Sequence, residues 1–477
     1  MIQLKYANEL HIKVECEPAY AQELSDYFTF DVPGAKFMPA VRKRHWDGKI
    51  RLFNSVTRTI YAGLTNYIVD FCNARGYPVE VDKKLTTRAI FEDSEVDDLA
   101  KSIQLTLEPR DYQKSAIAHA VRNRRCLLLS PTASGKSLII YMLCRHYATM
   151  KKLIVVPTTA LVHQMASDFE EYGYSKEVQK ITAGADKEIK HEITVTTWQS
   201  IYKLPKKWFK QFNVIIGDEA HLFKAKSLTN IMSKLDNTPY RFGFTGTLDG
   251  SQTHRLVLEG LFGPVEKVTT TADLIEKKNL ADLKINICVL KHTKENRTAQ
   301  ARAKYRDEIN YLVDSASRNE FIINLCKVLE GNSLLLFNFI RHGQELFDMA
   351  KALNKNCHFV YGGVKGEERN EIREIVESDS NALIVASYGT FSTGINIKNL
   401  HNIIFGAPSK SKIRVLQSIG RSLRTHESKD KSKLYDIVDD LQKGKWINYT
   451  LKHYGERVKL YNEEQFEYSI YSYNLKE

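Results

Sequence analysis

Residues 130–137 read Ser-Pro-Thr-Ala-Ser-Gly-Lys-Ser, a loop of small side chains that ends in a lysine and a hydroxyl. That spacing can do phosphate chemistry. The backbone N–H groups of Thr132, Ala133 and Ser134 can face a phosphate chain, and Gly135 permits a close backbone approach. Lys136 supplies a point charge for the β- and γ-phosphates, and Ser137 offers a hydroxyl to Mg²⁺. The loop departs from the usual pattern only at Ser130, where glycine is common. A second stretch, 214–223 (Val-Ile-Ile-Gly-Asp-Glu-Ala-His-Leu-Phe), is an apolar run that closes on two carboxylates. Asp218 is the candidate for holding Mg²⁺ through water, and Glu219 the candidate general base for an attacking water. His221 either couples the site to neighbouring polar groups or is a surface histidine. Each stretch alone is a weak signal; a chance Gly-Lys-Ser is common. Together they describe an ATP hydrolase.

The chemistry needs a strand before the loop and a helix after it. Residues 126–130 (CLLLS) and the stretch from Lys136 onward provide both. Further short apolar runs follow at 153–157, 193–197, 214–219 and 241–247, and a second series at 333–339, 358–363, 382–387, 402–408 and 433–440. Helical periodicity fills the gaps between several of them. Continuous apolar strands alternating with helices predict parallel sheets covered on both faces. The fold class is therefore α/β, with two tandem parallel-sheet domains, over 103–275 and 276–444, preceded by a small α+β domain over 1–102. Residues 445–477 are expected to form a helical extension, and the acidic stretch 91–102 a linker or a surface helix.

The Asp-Glu-Ala-His run, with 130–137 before it and Thr-Gly-Thr (245–247) after it, resembles superfamily 2 helicases and translocases. The family's other segments occur in order. Residues 110–113 (RDYQ) look like the adenine-reading segment, with Gln113 as the reader and Arg110 and Tyr112 packing nearby. Residues 155–164 and 194–200 resemble segments that touch nucleic acid. Residues 390–400 resemble the segment that links nucleotide to strand, and 417–424 (QSIGRSLR) the arginine-finger segment. The likeness runs from about 103 to 440. It implies two RecA-like domains with ATP between them, Arg421 and Arg424 reaching the γ-phosphate from the second. It also implies phosphate contacts for Thr158, Thr197 and Thr393, a nucleotide contact for Gly394, and coupling roles for His221, Thr245, Thr247, Asn396 and Gln417. Asn396 stands where the family often has Asp. For each threonine, ordinary β-propensity explains the residue about as well. Taken whole, the opening (MIQLKYANELHIKVECEP), the basic first region and the motif set resemble the phage recombination helicases. That likeness implies work on branched DNA: branch migration, fork regression and removal of RNA–DNA hybrids.

The first region carries its own signal. Residues 36–54 hold Arg42, Lys43, Arg44, Lys49 and Arg51, with Trp46 among them. The cations can meet phosphates while Trp46 stacks on an exposed base, or the segment is a solvated hairpin with Trp46 packed beneath it. Asp47-Gly48 is expected to be its turn. The balance of 69 Lys plus Arg against 57 Asp plus Glu, net +12, favours polyanionic partners modestly. The seven cysteines are scattered and odd in number, which argues for a reducing compartment and against a zinc or disulfide framework. No signal peptide or transmembrane run is evident, so a cytoplasmic location, in the host cell if the source is a phage, without membrane contact is expected. No carboxylate cluster suggests a nuclease. A self-sufficient monomeric motor is favoured because the arginines share a chain with the loop. A nucleotide-switched DNA-binding protein, which has no need of Glu219, and an RNA helicase are the alternatives.

Overall fold

The structure is a computed structural model. It describes every residue except 33, 249, 250, 354, 365, 391–396, 398, 408–410, 412–414, 416, 417, 421, 422, 424–430 and 477. The chain forms two compact units: Met1–Ser130 with Gly135–Thr269, and Pro131–Ser134 with Thr270–Glu477.

The first unit begins with β1 (Ile2–Tyr6) and β2 (His11–Glu15), whose inward residues alternate with outward ones. Such alternation marks a sheet with one face on a core. β1 and β2 pair antiparallel, and with β5 (Thr59–Tyr61) and β6 (Val79–Val81) they form a four-stranded sheet of order β5-β2-β1-β6. β3 (Thr29–Asp31) and β4 (Lys49–Arg51) form a separate antiparallel pair. Asp47-Gly48 is not a tight turn between two adjacent strands. The whole segment 32–48 lies between β3 and β4, and Gly48 enters β4 at φ 81°. Its carbonyl accepts from Val32 N. The residues 35–42 form two short helical turns, and these displace the turn that the Asp-Gly pair suggested.

A seven-stranded sheet follows: β7 (Arg125–Leu129), β8 (Lys152–Val156), β9 (Gln179–Ile181), β10 (Ile193–Thr197), β11 (Val214–Gly217), β12 (Tyr240–Thr245) and β13 (Val265–Lys267). Its order is β13-β7-β12-β11-β8-β10-β9, with every neighbouring pair parallel. β8, β10 and β11 are buried along their whole length, as strands covered on both faces must be. Cys126 and Leu128 face one apolar cluster and Leu127 the other, the two-residue period of a strand.

Residues 1–102 pack against this sheet within the same compact unit. One hydrophobic cluster runs from Ile2, Leu4 and Ile12 to Leu153, Ile215 and Phe262. Glu9 N donates to Asp236 O at 2.9 Å, and Arg125 donates to Glu9 O at 2.8 Å. A Cβ on Gly63 would lie 1.9 Å from Glu259 O, so this contact needs glycine. The acidic stretch is the helix Asp93–Ser102. It buries Val96 in the cluster of the second sheet face, beside the helices Asp111–Asn123 and Lys136–His146.

The second unit has its own seven-stranded sheet: β14 (Asp282–Lys291), β15 (Ser333–Phe337), β16 (Cys357–Val360), β17 (Leu383–Ser387), β18 (Asn402–Phe405), β19 (Lys431–Asp440) and β20 (Tyr468–Asn474). The order is β16-β17-β15-β18-β19-β14-β20, all parallel. The tail is helical over Tyr449–Glu463 only; it then returns as the edge strand β20 against β14. Buried charges anchor that helix. Glu308 accepts from Tyr449 N, Thr450 N and Thr450 Oγ1, at 2.8, 2.7 and 2.7 Å. Arg457 forks onto Asp436 with two bonds of 2.8 Å, and the Tyr461 hydroxyl adds a third at 2.9 Å. Nearby, burial alone would raise the Asp439 carboxyl, but Arg318 and His292 hold it well below the usual carboxylate range.

Candidate nucleotide site and nucleic-acid surface

β7, β12 and β11 are neighbours, so their carboxyl ends lie side by side. The small-residue loop leaves β7, Thr245 and Thr247 leave β12, and Asp218 and Glu219 leave β11. Ligands of open parallel sheets bind at this edge. Ser130 N donates to Thr245 O at 2.9 Å, which ties the loop to the middle strand.

Within the loop the left-handed positions are Ala133 (φ 66°) and Gly135 (φ 77°), and Ser130 is not among them. The glycine usual at 130 is therefore not required by backbone angle, and Ser130 is fully buried. Ser134 Oγ closes the loop on Pro131 O at 2.7 Å. Gly135 is constrained twice. Its φ is positive, and a Cβ there would meet Gln113 Nε2 at 2.4 Å. Gly135→Ala is expected to push the loop off Gln113 and to weaken nucleotide binding roughly tenfold or more; a titration with a fluorescent ATP analogue checks it, and unchanged affinity would contradict it.

Lys136 opens the helix Lys136–His146, and its ammonium lies 3.3 Å from Ser130 O. The Ser137 hydroxyl meets the Tyr172 hydroxyl at 2.8 Å. Nothing in the sequence pointed to Tyr172, which lies just beyond the end of the helix Thr159–Glu171. Gln113 is 3% exposed and braces the site: Oε1 accepts from Arg110 N at 2.9 Å, and Nε2 donates to Gly135 O at 3.4 Å. Arg110 in turn donates to the Tyr112 hydroxyl at 2.9 Å. Gln113, the expected adenine reader, and its expected packing neighbours Arg110 and Tyr112 thus form one turn against the loop.

Asp218 is buried. Burial first, and then the charge of Glu219, raise its carboxyl to about 6, while Lys136 pulls it down. The loop lysine and the strand-end carboxylate therefore act on one another. A pair of neighbouring carboxylates short of positive charge is the kind of donor set that suits a divalent cation. Glu219 adopts φ 50°, ψ 50°, a strained conformation for a side-chain-bearing residue, and its N–H donates to Asp218 Oδ1 at 2.9 Å. His221 Nδ1 lies 3.0 Å from Thr245 Oγ1 and 3.3 Å from Glu219 Oε2. The Thr245 hydroxyl donates to Thr247 O at 2.9 Å, so it accepts from Nδ1–H of His221. A continuous chain Glu219–His221–Thr245–Thr247 joins the end of β11 to the end of β12.

Thr158 lies just past β8, and Thr197, which is buried, ends the adjacent parallel strand β10, next along the same edge. Thr158 caps the helix Thr159–Glu171, and the Thr197 hydroxyl meets Ser200 Oγ at 2.9 Å. Arg42, Lys43 and Arg44 are exposed, and Trp46 is half-buried with Nε1 donating to Lys49 O at 2.9 Å. Thr393, Gly394, Asn396, Gln417, Arg421 and Arg424 lie outside the described residues.

Comparison with known proteins agrees with this geometry. Residues 1–82 match the family described as "DNA helicase UvsW, N-terminal", residues 106–250 "Type III restriction enzyme, res subunit", and residues 317–426 "Helicase conserved C-terminal domain". The chain is 36% identical to the ATP-dependent DNA helicase uvsW of Enterobacteria phage T4, over 99% of this chain and 100% of that protein. It is 24% identical to the DNA 3'-5' translocase XPB2 of Sulfurisphaera tokodaii, over 71% of this chain and 82% of that one. The crystal structure of T4 UvsW superposes with a TM-score of 0.53 at 35% identity, covering 100% of both chains. The yeast (S. cerevisiae) Dbp5 structure bound to RNA and ADP BeF3, at 13% identity and TM-score 0.55 over 80% of this chain and 96% of that one, shares the fold. With the loop, the carboxylate pair and Thr245 on three adjacent strand ends, and with likeness from end to end at 36% identity, this chain belongs to the UvsW family of ATP-dependent DNA helicases.

Proposed function

We propose that the protein spends ATP to remodel branched DNA by migrating branch points and regressing forks, and that it also removes RNA–DNA hybrids. The observation that carries the reading is the convergence of Lys136 with Asp218 and Glu219 at one sheet edge, in the same compact unit as an exposed basic segment. Lys136 and the loop N–H groups would bind the phosphates. Ser137 and Asp218 would hold Mg²⁺, which neutralises phosphate charge when bound. Glu219 would take the proton of the attacking water. The chain Glu219–His221–Thr245–Thr247 lets the state of the γ-phosphate bias the neighbouring strand end, where Thr158 and Thr197 would touch the nucleic-acid backbone. Arg421 and Arg424, by family likeness, would supply the remaining positive charge, and the motor would act as a monomer.

ATP turnover should rise more with a fork or four-way junction than with linear duplex, single strand or RNA–DNA hybrid; equal stimulation by all would remove the claim to branched substrates, and stimulation by hybrid alone would redirect it. Reversing Arg42, Lys43 and Arg44 to glutamate should weaken junction binding by roughly 10²-fold at low salt and flatten its salt dependence, with ATP affinity little changed. Fluorescence anisotropy at several salt concentrations checks this, and an unaltered salt slope would move the DNA grip elsewhere.

A further inference from the structure

The segment between β3 and β4 presents more than charge. Phe37 is 65% exposed and Met38, beside it, 42%. Around them residues 36–51 carry Lys36, Arg42, Lys43, Arg44, Lys49 and Arg51 against a single acid, Asp47. That acid is taken by Arg51 at 2.5 Å. Two large apolar side chains this exposed amid cations need an explanation, since no apolar packing among the described residues buries them.

The segment is built to hold them there. Ala35 is buried, and a Cβ on Gly48 would stand 3.0 Å from its Cβ, so the base of the protrusion is closed. Met38 N donates to Ala35 O at 2.8 Å, Lys43 N to Pro39 O at 2.9 Å and His45 N to Ala40 O at 2.9 Å. Trp46 fastens the return to β4 through Lys49 O. The tip is thus a hydrogen-bonded turn, and the Lys36 ammonium lies 5.2 Å from the Phe37 ring centroid.

We infer that Phe37 and Met38 form an apolar wedge that stacks on the base pair exposed at a DNA branch point, while Arg42, Lys43 and Arg44 hold the flanking phosphates. The inference rests on the reading of the protein as a motor on branched DNA and names the element that recognises the branch. The end face of an opened duplex is flat, apolar and bordered by two anionic strands. An apolar pair bordered by cations is complementary to it in shape of charge and in chemistry. A closed circular duplex offers phosphates but no exposed base face, so the wedge separates branched from unbranched, end-free DNA without reading sequence.

The test uses the full-length protein and a four-way junction with 2-aminopurine beside the branch. Binding of the unaltered protein should change the 2-aminopurine fluorescence, and Phe37→Ala with Met38→Ala should abolish that change. The same variant should lose junction turnover roughly tenfold more than ATP turnover on closed circular duplex. Phe37→Trp, which keeps a stacking ring, should restore both signals. Both side chains are exposed, so the variants keep the core. Unchanged fluorescence and junction turnover in the double alanine variant would overturn the inference. If no DNA stimulates ATP turnover of the unaltered protein, the motor reading fails, and the fluorescence still decides whether the pair enters the branch.

Discussion

Lys136→Ala should lose ATP hydrolysis by about 10³-fold or more. The lysine's charge lowers the Asp218 carboxyl that burial and Glu219 raise, so it acts on the carboxylate end of the site. Removing it takes away phosphate binding and also leaves two neighbouring carboxylates facing an anionic substrate. Glu219→Gln separates the two effects. It keeps the shape of the strand end and should keep nucleotide binding, yet lower turnover by roughly 10²–10⁴-fold, because no base remains for the water. Turnover under single-turnover conditions, with nucleotide affinity measured in parallel, reads both variants. If Lys136→Ala hydrolyses ATP at the normal rate, the site is wrongly placed. If Glu219→Gln does so, the general base is another group.

Arg457→Met should destabilise the second unit by about 3–5 kcal/mol, because it strands the buried Asp436 carboxylate. Arg457 is 2% exposed and donates two hydrogen bonds to Asp436 from the helix Tyr449–Glu463. For a unit of this size that loss lowers a melting transition by on the order of 10 °C. Calorimetry should show an early transition that leaves the transition of the first unit in place. Replacing Asp436 with leucine as well should recover most of the loss, since an apolar pair does not leave a buried charge alone. A single-site loss under about 1 kcal/mol would show that water reaches Asp436 and that the pair is not what holds the tail helix.

Some errors of sequence reading have physical causes. The aromatic, charged tail is expected to be helical, and only Tyr449–Glu463 is. Yet Tyr468-Ser-Ile-Tyr-Ser-Tyr-Asn is rich in strand-favouring residues, and pairing with β14 decides its state. β14 is not legible in the sequence: residues 285–290 (Ile-Asn-Ile-Cys-Val-Leu) sit between lysines and resemble many ordinary surface stretches until β19 and β20 flank it on either side. Asp47-Gly48 has the composition of a tight turn, but Gly48 is committed to Ala35 and Val32. The packing of residues 1–102 against the first seven-stranded sheet is not legible along the chain, because it rests on long-range contacts. Gly63 against Glu259 and Glu9 against Arg125 join residues that no local pattern relates.

By itself the sequence determined the chemistry and the class. The loop 130–137 works through the spacing of adjacent residues, and strand-end carboxylates announce themselves by an apolar run closing on Asp218 and Glu219. Both are local, so both are legible along a line. Tertiary structure alone decided that β7, β12 and β11 stand side by side, that His221 bridges Glu219 to Thr245, and that Ser130 needs no left-handed backbone. It also decided that a basic segment ends in two exposed apolar side chains. Sheet order and solvent exposure are properties of how distant segments pack, and no stretch of residues carries them alone.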